Sequence, residues 1–532
     1  MQSLVATFKP NVASLGYALF LAVNATAVWG GVFPFLPYSI QTSQTMFWFF
    51  LAEATVFAAA FFASIFGSYM FPEHAKRFLV PLAAAPYALG WICLIAASYL
   101  KDSSGPLVVC AGALLGVGSA GFYMLWQRLF AAKRPGRGTH DLILGTVYAS
   151  VIYFALHAVP VAVTAFLVLL VFLPLFALAA ILASRTIDVN QPMFEDMPRE
   201  HPQVYKRAVT DVWRSAVSLG GLGLCTGVMR AMAITDPAIG TTVNIVSMAT
   251  SFVVAATILV LWSRRSIALN VPLAYRRVFP IVIVAFLLVP LIPERHVIWL
   301  AGIMYALHSA AILLMMIQCA QISRDRGINP VFIYGLFGGI MYALHDLGFI
   351  MGSVATVMVV PGLSSPAMVA LASVSALSIL ALIGSPPPRG TTLRADGNSI
   401  ELLNQTSLPD EKSMALAEAA VAADEREDAV ADSPALADGN GATPESLSPS
   451  PYQDRLSKQV ELMRLDYRLS AREAEVAEML ARGQTVTRIA EALFVSENTV
   501  RTHSKRIYAK LDVHKKQQLR DLVESYDPSS LR

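Results

Sequence analysis

Residues 469–519 read LSAREAEVAEMLARGQTVTRIAEALFVSENTVRTHSKRIYAKLDVHKKQQL, and this stretch predicts a compact set of short helices. Ser470 and Glu473 have the spacing of a capping box, which predicts the start of the first helix, and Gly483 predicts its end. Ser496 is the predicted cap of a third helix, after a short turn. The spacing of caps and breakers therefore predicts helices joined by tight turns.

The third predicted helix has one apolar and one cationic side. Val500, Ile507 and Leu511 recur at the spacing of a buried helical stripe, whereas Arg501 and Lys505 project from the opposite side. A tight turn followed by a cationic helix is the arrangement of a helix-turn-helix, whose third helix enters the major groove of DNA. The stretch therefore predicts a double-stranded DNA operator as a partner.

This stretch resembles the LuxR-type DNA-binding domain, also called the NarL/FixJ type. The resemblance rests on Leu469-Ser470, Arg472-Glu473, Glu475-Val476, Gly483, Ile489-Ala490, Leu493, Val495-Ser496, Thr499 to His503, Ile507-Tyr508, Lys510-Leu511 and Val513. It implies base or phosphate contacts from Arg501, Thr502 and Lys505, and backbone contacts from Ser496, Thr499 and Lys510. It also implies a homodimer paired through a fourth helix, roughly Lys515 to Tyr526, with RNA polymerase as a further candidate partner.

Two positions depart from the pattern of that family. Val486 stands where a polar residue is common, and Ser504 stands where Val or Leu is usual. An apolar residue at Ser504 would pack against the domain core, so its absence weakens that packing. The Ser504 hydroxyl is expected to bond back to the carbonyl oxygen of Val500, one turn earlier.

Outward from this domain, the composition changes to that of a membrane protein. The chain has 532 residues, of which 55% are hydrophobic and only 14% are charged, against about 25% in a typical soluble protein. A chain of this size cannot bury so much apolar surface in globular cores. An entirely soluble protein is excluded, and membrane lipid is the expected solvent for most of the chain.

Twelve hydrophobic runs between residues 13 and 384 are long enough to cross a bilayer, which takes about 20 residues in a helix. They cover 13–33, 44–66, 78–100, 105–127, 141–159, 160–183, 212–234, 239–262, 278–293, 297–320, 330–357 and 367–384. The predicted fold is all-α: a polytopic bundle of twelve transmembrane helices, followed by a disordered linker and a four-helix DNA-binding domain.

Basic residues in the loops predict the orientation of this bundle. One alternating set of loops carries nineteen Lys and Arg residues, whereas the other carries only Lys101 and Arg295. Basic residues collect on the cytoplasmic side of membranes. We therefore expect a multi-pass protein of the bacterial inner membrane, with both termini in the cytoplasm.

The bundle divides into two sets of six helices. The longest basic connection falls between the sixth and seventh runs, and the string Ile152-Tyr-Phe-Ala-Leu-His157 of the fifth run has a near match, Ile340-Met-Tyr-Ala-Leu-His345, in the eleventh. The tenth run carries the string again at 303–308. In helix count and symmetry the body resembles the major facilitator superfamily of transporters. The charged motif that this family carries after its second helix is absent here, where Gly67 precedes Ser-Tyr-Met-Phe.

Polar residues inside hydrophobic runs are costly, so they indicate a function or a mutual pairing. The functional interpretation is a ligand pocket between the two sets of helices, lined by Glu53, His157, Arg230, His308, His345 and Asp346. The alternative is that these groups satisfy one another and bind nothing. Arg230 has a further alternative, which is an ion pair with Asp236.

Residues 385–451 form the predicted linker between a body of residues 1–384 and a DNA-binding domain of residues 452–532. Pro, Ser, Ala, Gly and acidic residues dominate it, and such composition does not support a folded core. Residues 391–455 hold thirteen acidic and four basic residues, so we expect the linker to compete with DNA for the cationic helix.

These features predict a membrane-bound LuxR-type transcriptional regulator whose body senses a small molecule. A secondary transporter with a fused regulatory domain is the first alternative, and a passive anchor for a constitutive DNA-binding domain is the second. We expect neither an enzyme nor a bound cofactor, because the sequence has no nucleophile or phosphate-binding spacing. The four cysteines lie in separate runs without metal-ligand spacing, so we expect neither a metal site nor a disulfide framework.

Overall fold

The structure, a computed structural model, describes most of the membrane body and most of the C-terminal domain. The described residues are 7–28, 39–133, 136–185, 193, 198, 202–235, 237–265, 267–291, 293–326, 328–357, 365–384, 399–402, 455–484, 486, 489, 493, 497–513 and 516–526. The all-α prediction is confirmed, with one short two-stranded ribbon added among these residues.

Among the described residues, the first half of the body contains six helices. They are α1 (Val12–Ala27), α2 (Ser43–Met70), α3 (Pro72–Tyr99), α4 (Ser104–Ala132), α5 (Arg137–His157) and α6 (161–185). Lys101–Ser103 forms a 3₁₀ turn before α4, and α6 contains a π-helical turn, Val168–Phe172, between α-helices Val161–Leu167 and Leu173–Arg185. Asn11 caps α1, since its side-chain oxygen accepts the N–H groups of Ala13 and Ser14.

The second half repeats this count with α7 (Pro202–Thr235), α8 (Pro237–Arg264), α9 (Val271–Leu287), α10 (Glu294–Arg326), α11 (Pro330–Val357) and α12 (Ser365–Gly384). A 3₁₀ turn, Val289–Leu291, follows α9. Each of the twelve predicted runs overlaps one helix. Eight described segments are long and apolar enough to cross a membrane, and three shorter apolar helices accompany them, so the chain is a multi-pass membrane protein.

Several helix contacts recur in corresponding places of the two halves. In the first half α1 packs against α5 and α6, and α2 packs against α4; in the second half α7 packs against α11 and α12, and α8 packs against α10. The interfaces between the halves are also paired, because α2 packs against α11 while α8 packs against α5. The six-plus-six arrangement predicted from the sequence is confirmed by this repeat of contacts.

A short antiparallel ribbon joins the second half to a segment predicted as linker. Strand β1 (Ile267–Asn270) lies between α8 and α9, and strand β2 (Ser399–Leu402) pairs with it in the register Ile267 to Leu402. Ile400 and Leu402 are buried in the core of the body. This piece of residues 385–451 differs from the expectation of a segment without order, because a sheet partner and an apolar surface stabilise it.

The C-terminal domain contains the described helices α13 (Arg455–Tyr467), α14 (Ala471–Ala481), α15 (Glu497–Leu511) and α16 (Lys516–Ser525). Its core consists of its own residues and includes Val476, Val500, Ile507 and Leu519. The predicted capping box at Ser470 is confirmed, as is the end of α14 before Gly483, whose φ of +94° lies in the left-handed region. The predicted cap of the third helix, Ser496, lies outside the described residues.

Candidate functional sites

A cavity of about 270 Å³ lies between the two halves of the body. Helices of both halves line it. The first half contributes mainly aromatic and apolar side chains, and the second half contributes most of the polar ones. Its lining includes Phe50, Phe57 and Tyr123 from the first half and Arg230, Asn244, Ser247, Tyr305, His308, Ser309 and His345 from the second half. An apolar space with a few convergent polar groups is the usual form of a small-molecule site.

The six residues predicted as pocket residues fall into three groups. Glu53, Arg230, His308 and His345 line the cavity, and their helices are α2, α7, α10 and α11. Asp346 is buried directly behind this lining, with Oδ1 3.7 Å from His345 Nδ1. His157 lies away from the cavity, exposed at the end of α5, with its Nδ1 atom 3.4 Å from the Tyr153 carbonyl oxygen.

Arg230 is held over an aromatic ring. Its guanidinium carbon lies 3.8 Å from the centre of the Phe50 ring, so a cation–π contact joins α7 of the second half to α2 of the first. The guanidinium also contacts the Tyr305 hydroxyl, and its charge acts on Glu53 and Asp346. The alternative partner Asp236 lies outside the described residues. These contacts leave Arg230 Nη2 buried and without a hydrogen-bond partner in the described part of the chain.

Two histidines present further unsatisfied atoms. His308 Nδ1 and His345 Nδ1 are buried and have no hydrogen-bond partner among the described residues, and Asp346 Oδ1 is in the same state. These three residues are at most 9% exposed. A buried polar atom without a partner costs about 1–3 kcal/mol, so a ligand that supplies a partner gains affinity at these atoms.

Other polar groups around the cavity already have partners. Asn244 Nδ2 donates to the Ala25 carbonyl oxygen at 2.7 Å and to the Tyr153 hydroxyl at 3.0 Å, and both acceptors belong to the first half. Gln127 Nε2 likewise donates across the halves, to the Met316 carbonyl oxygen at 3.1 Å. These hydrogen bonds join the two halves of the body.

Tyr305 and Tyr342 line the cavity, although the polar-residue argument missed them. A signal existed in the repeated strings of the tenth and eleventh runs, since each has a Tyr three residues before its His. Residues three apart share a face of a helix, so each string places Tyr and His on the cavity side. The string of the fifth run has Phe154 at this position, and Phe154 is exposed on the outer surface.

The cavity depends on a close approach of α7 and α11. A Cβ added at Gly227 would meet the His345 carbonyl oxygen, and one at Gly348 would meet the Leu224 carbonyl oxygen. Two backbones that approach this closely exclude any side chain larger than Gly at these positions. The contact fixes Arg230, one turn after Gly227, beside His345.

The candidate DNA-contacting helix is α15. Val500, Ile507 and Leu511 are buried in the domain core, whereas Arg501 and Lys505 are exposed, as the periodicity predicts. The Ser504 hydroxyl donates to the Val500 carbonyl oxygen at 2.8 Å, which confirms the bond predicted for this departure from the family pattern. Of the other predicted contacts, Ser496 lies outside the described residues, and for Thr499 and Thr502 only the helical backbone is described.

Lys510 has a partner within its own domain. Its ammonium group donates to Glu473 Oε2 at 2.6 Å, and the Ser470 N–H donates to the same oxygen at 2.8 Å. Burial raises the pKa of the Glu473 carboxyl, but the hydrogen bonds from Lys510 and Ser470 and the Lys510 charge outweigh burial and lower the pKa below its usual value. The predicted phosphate contact of Lys510 therefore competes with this ion pair.

Sequence comparison assigns the C-terminal domain. Residues 467–523 match the family model described as bacterial regulatory proteins, luxR family. These residues form a LuxR-type DNA-binding domain. The match to the LuxR-type domain includes α14, α15 and most of α16, while α13 precedes it except for its last residue, Tyr467. No relative among the curated proteins matches the chain.

Solved structures similar to the chain include transporters. A crystal structure of the major facilitator superfamily transporter FucP in the outward conformation has 14% sequence identity and a TM-score of 0.41, over 72% of this chain and 100% of FucP. The human organic anion transporter MFSD10 has 12% identity and a TM-score of 0.45, over 70% of this chain and 98% of MFSD10. A mutant of the nucleoside transporter NupG has 15% identity and a TM-score of 0.35, over 70% of this chain and 99% of NupG.

Proposed function

We propose that the membrane body senses a small molecule and thereby controls sequence-specific DNA binding by the LuxR-type domain. The observation that carries this proposal is the cavity, in which Arg230, His308 and His345 present buried polar atoms without partners in the described part of the chain. A molecule with an apolar body and polar groups placed for these atoms suits such a site. The LuxR-type domain on the same chain supplies the output.

Control of the domain follows from the position of the cavity between two halves. A ligand shifts an equilibrium between states of the body only if it makes different contacts in those states. A ligand that touches Phe50 on one half and His308 on the other meets this condition whenever the halves move relative to each other. In the proposed mechanism this motion changes the assembly or exposure of the C-terminal domains.

We propose that the active form binds DNA as a homodimer through α16. Leu519 and Val523 are buried in the core of their own domain, whereas Gln518, Asp521 and Ser525 are exposed on the other side of α16. The exposed side is thus the available surface for a second copy. A dimer reads a two-fold operator and presents RNA polymerase with a fixed surface. The proposed setting is the bacterial inner membrane, with both termini in the cytoplasm, as the loop charges favour.

The DNA-binding part of the proposal is tested with the full chain in lipid nanodiscs. Fragments retained from bacterial genomic DNA supply the operator, and gel shifts then compare the wild type with Arg501→Ala and Lys505→Ala. We expect each substitution to cost about 1–3 kcal/mol of operator affinity. Arg506→Ala, which removes the same charge from the same helix, is the matched control and should cost less. Equal losses in all three variants would overturn the assignment of α15 contacts.

The sensing part is tested with a metabolite collection and the same full chain. Compounds that raise the melting temperature of the wild type but not of Arg230→Gln identify ligands of the cavity, because saturation at about 100 times Kd stabilises a protein by about 2.7 kcal/mol. Arg230→Lys retains the charge and should retain part of the shift. Each such compound should then change the retained fraction of operator DNA.

The alternatives give different results in this experiment. Compounds that bind the cavity without changing DNA retention contradict sensing, and uptake of those compounds into proteoliposomes then tests the transporter alternative. If no compound binds and the domain alone regulates as the full chain does, the body is a passive anchor.

A further inference from the structure

Two of the four free cysteines lie side by side in the first half of the body. Cys93 on α3 and Cys110 on α4 lie beside each other at the edge of the seam between these two helices, in the register that pairs Gly90 with Leu115. Cys225 on α7 and Cys319 on α10 are buried elsewhere. The first pair is a dithiol that takes no part in the cavity or in the DNA-binding domain.

Tight packing of α3 against α4 brings the two thiols together. A Cβ added at Gly118 would lie 2.7 Å from the Tyr87 Cα, and one at Gly121 would lie 2.8 Å from the Ala83 Cα. Helices whose backbones approach this closely bring side chains at the edges of the seam into contact. About one turn from both cysteines, a Cβ added at Gly90 would lie 3.1 Å from the Leu115 backbone nitrogen. A disulfide joins cysteines whose Cα atoms are about 4.4–6.8 Å apart, and backbones this close allow that separation.

The dithiol is accessible from the outer surface of the bundle. Cys110 is exposed and Cys93 is half-buried, and the nearby side chains Ile92 and Leu89 are at least 50% exposed. In a membrane body this apolar surface faces lipid. A reagent that reaches Cys110 must therefore dissolve in the bilayer, which favours a lipid-soluble oxidant over an aqueous one.

We propose that Cys93 and Cys110 form a redox-modification site at which a quinone oxidises the dithiol to a disulfide. Two S–H bonds break and one S–S bond forms, while the two electrons and two protons pass to the quinone, which becomes a quinol. Thiol reductants reverse the reaction. The disulfide ties α3 to α4, the helix that carries Tyr123 of the cavity and Gln127 of the contact between the halves. The redox state of the membrane thus acts on the same body as the proposed ligand, through a separate site.

The test uses the reduced full chain in nanodiscs under anaerobic conditions. Tetramethyl-1,4-benzoquinone is the oxidant, because its fully substituted ring does not add thiols readily. After the reaction the protein is unfolded and alkylated with a maleimide. We expect the number of alkylated cysteines to fall from four to two, with a peptide linking Cys93 to Cys110 after proteolysis and recovery of four thiols after dithiothreitol.

Three variants complete the test. Cys93→Ser and Cys110→Ser should each keep all their remaining thiols after quinone treatment, whereas Cys319→Ser should still lose two. Retention of four thiols in the quinone-treated wild type overturns the proposal. Thiol loss in Cys110→Ser equal to that in the wild type also overturns it, because it assigns the oxidation to other cysteines. Neither result depends on ligand sensing or DNA binding.

Discussion

Glu473 combines a helix cap and an ion pair in one carboxylate. It closes the capping box with Ser470 at the start of α14 and accepts the Lys510 ammonium from the end of α15. The Glu473 side chain is only 5% exposed, whereas the Lys510 side chain is 42% exposed, so water reaches the ammonium more than the carboxylate. The carboxylate therefore links α14 to α15, the candidate DNA-contacting helix.

We expect Glu473→Gln to lower the free energy of unfolding of a 452–532 fragment by about 1–2 kcal/mol at pH 7, through the loss of a charged cap and an ion pair. Because the folded pKa of Glu473 is lowered, its stabilisation is present above the unfolded pKa and is lost as pH falls through the folded pKa. Urea unfolding between pH 7 and pH 3 measures both effects. The fragment suits the test, since its core consists of its own residues.

Glu475→Gln is the matched control for this prediction. Glu475 pairs with Arg472 at 2.8 Å on the surface, and such pairs contribute about 0–1 kcal/mol. The pH profile of Glu475→Gln should follow that of the wild type. A Glu473→Gln variant that loses stability on acidification as steeply as the wild type does would contradict the role given to Glu473.

At the scale of elements, the contact between α7 and α11 leaves no space for a side chain at two glycines. Gly227 and Gly348 lie where each backbone meets a carbonyl oxygen of the other helix. We expect Gly227→Ala to separate the helices or prevent folding, because a Cβ there has no space. Gly67→Ala at the end of α2 is the control, because a Cβ at that position has no neighbour within 4 Å. Thermal unfolding of the purified full chains compares the two variants.

A folded Gly227→Ala variant should also lose the cavity ligands found with the wild type, since Arg230 and His345 move apart with the helices. If the Gly227→Ala and Gly67→Ala variants melt at the same temperature and bind the cavity ligands equally well, α7 and α11 do not approach each other as closely as described.

The β1–β2 ribbon gives a second prediction at this scale. Ala268 faces Glu401 in the register, and directly opposed residues of antiparallel strands have Cβ atoms about 4.5–5.5 Å apart. The double variant Ala268→Cys with Glu401→Cys should therefore crosslink under mild oxidation, and peptide mapping should locate the bond. Leu269→Cys with Glu401→Cys is shifted by one residue and places the thiols on opposite faces, so it should crosslink far less. Equal yields from both pairs would exclude this register.

The sequence predicts elements whose signal is local. Hydrophobic length located all twelve helices of the body, and cap and breaker residues located α14. The ribbon was not predicted, because a four-residue strand has almost no periodicity and its partner strand is more than a hundred residues away in the sequence. Helix α13 was not predicted for another reason. Its apolar stripe of Leu456, Val460 and Met463 directly follows residues whose composition is that of a linker.

The candidate sites divide in the same way. The energetic cost of placing polar side chains inside a membrane pointed to Glu53, Arg230, His308 and His345, and the structure brings these four residues to one cavity. The same argument cannot tell which way a side chain points, so it also selected His157 on an outer surface. The contact between Lys510 and Glu473 joins residues of two helices, and only tertiary structure brings them together.

At the scale of the whole molecule, charge is divided between segments. Residues 391–455 carry an excess of nine negative charges, whereas residues 456–532 carry an excess of three positive charges. Segments of opposite sign on one chain attract each other, and the attraction weakens with salt. The predicted competition between the linker and DNA is therefore an electrostatic effect that belongs to the full chain.

We expect a full chain in which the acidic residues between 410 and 445 are replaced by Asn and Gln to bind nonspecific DNA more tightly at low salt. The difference in DNA affinity between this variant and the wild type should shrink above about 0.2 M salt, because salt then screens the attraction between the linker and the DNA-binding domain. Filter binding with random duplex DNA measures it. Replacement of the same number of Ser residues by Asn is the control for composition. Unchanged DNA affinity at low salt would show that the acidic linker does not compete with DNA.

The ribbon also limits how far from the membrane the DNA-binding domain can reach. Because β2 is fixed to the second half of the body, the chain that leads to the DNA-binding domain starts at residue 403 and ends at residue 454. Fully extended, a segment of that length spans at most about 180 Å. Any operator that this protein occupies must come within that radius of the bilayer, so chromosomal loci have to be brought to the cell periphery before they can be read.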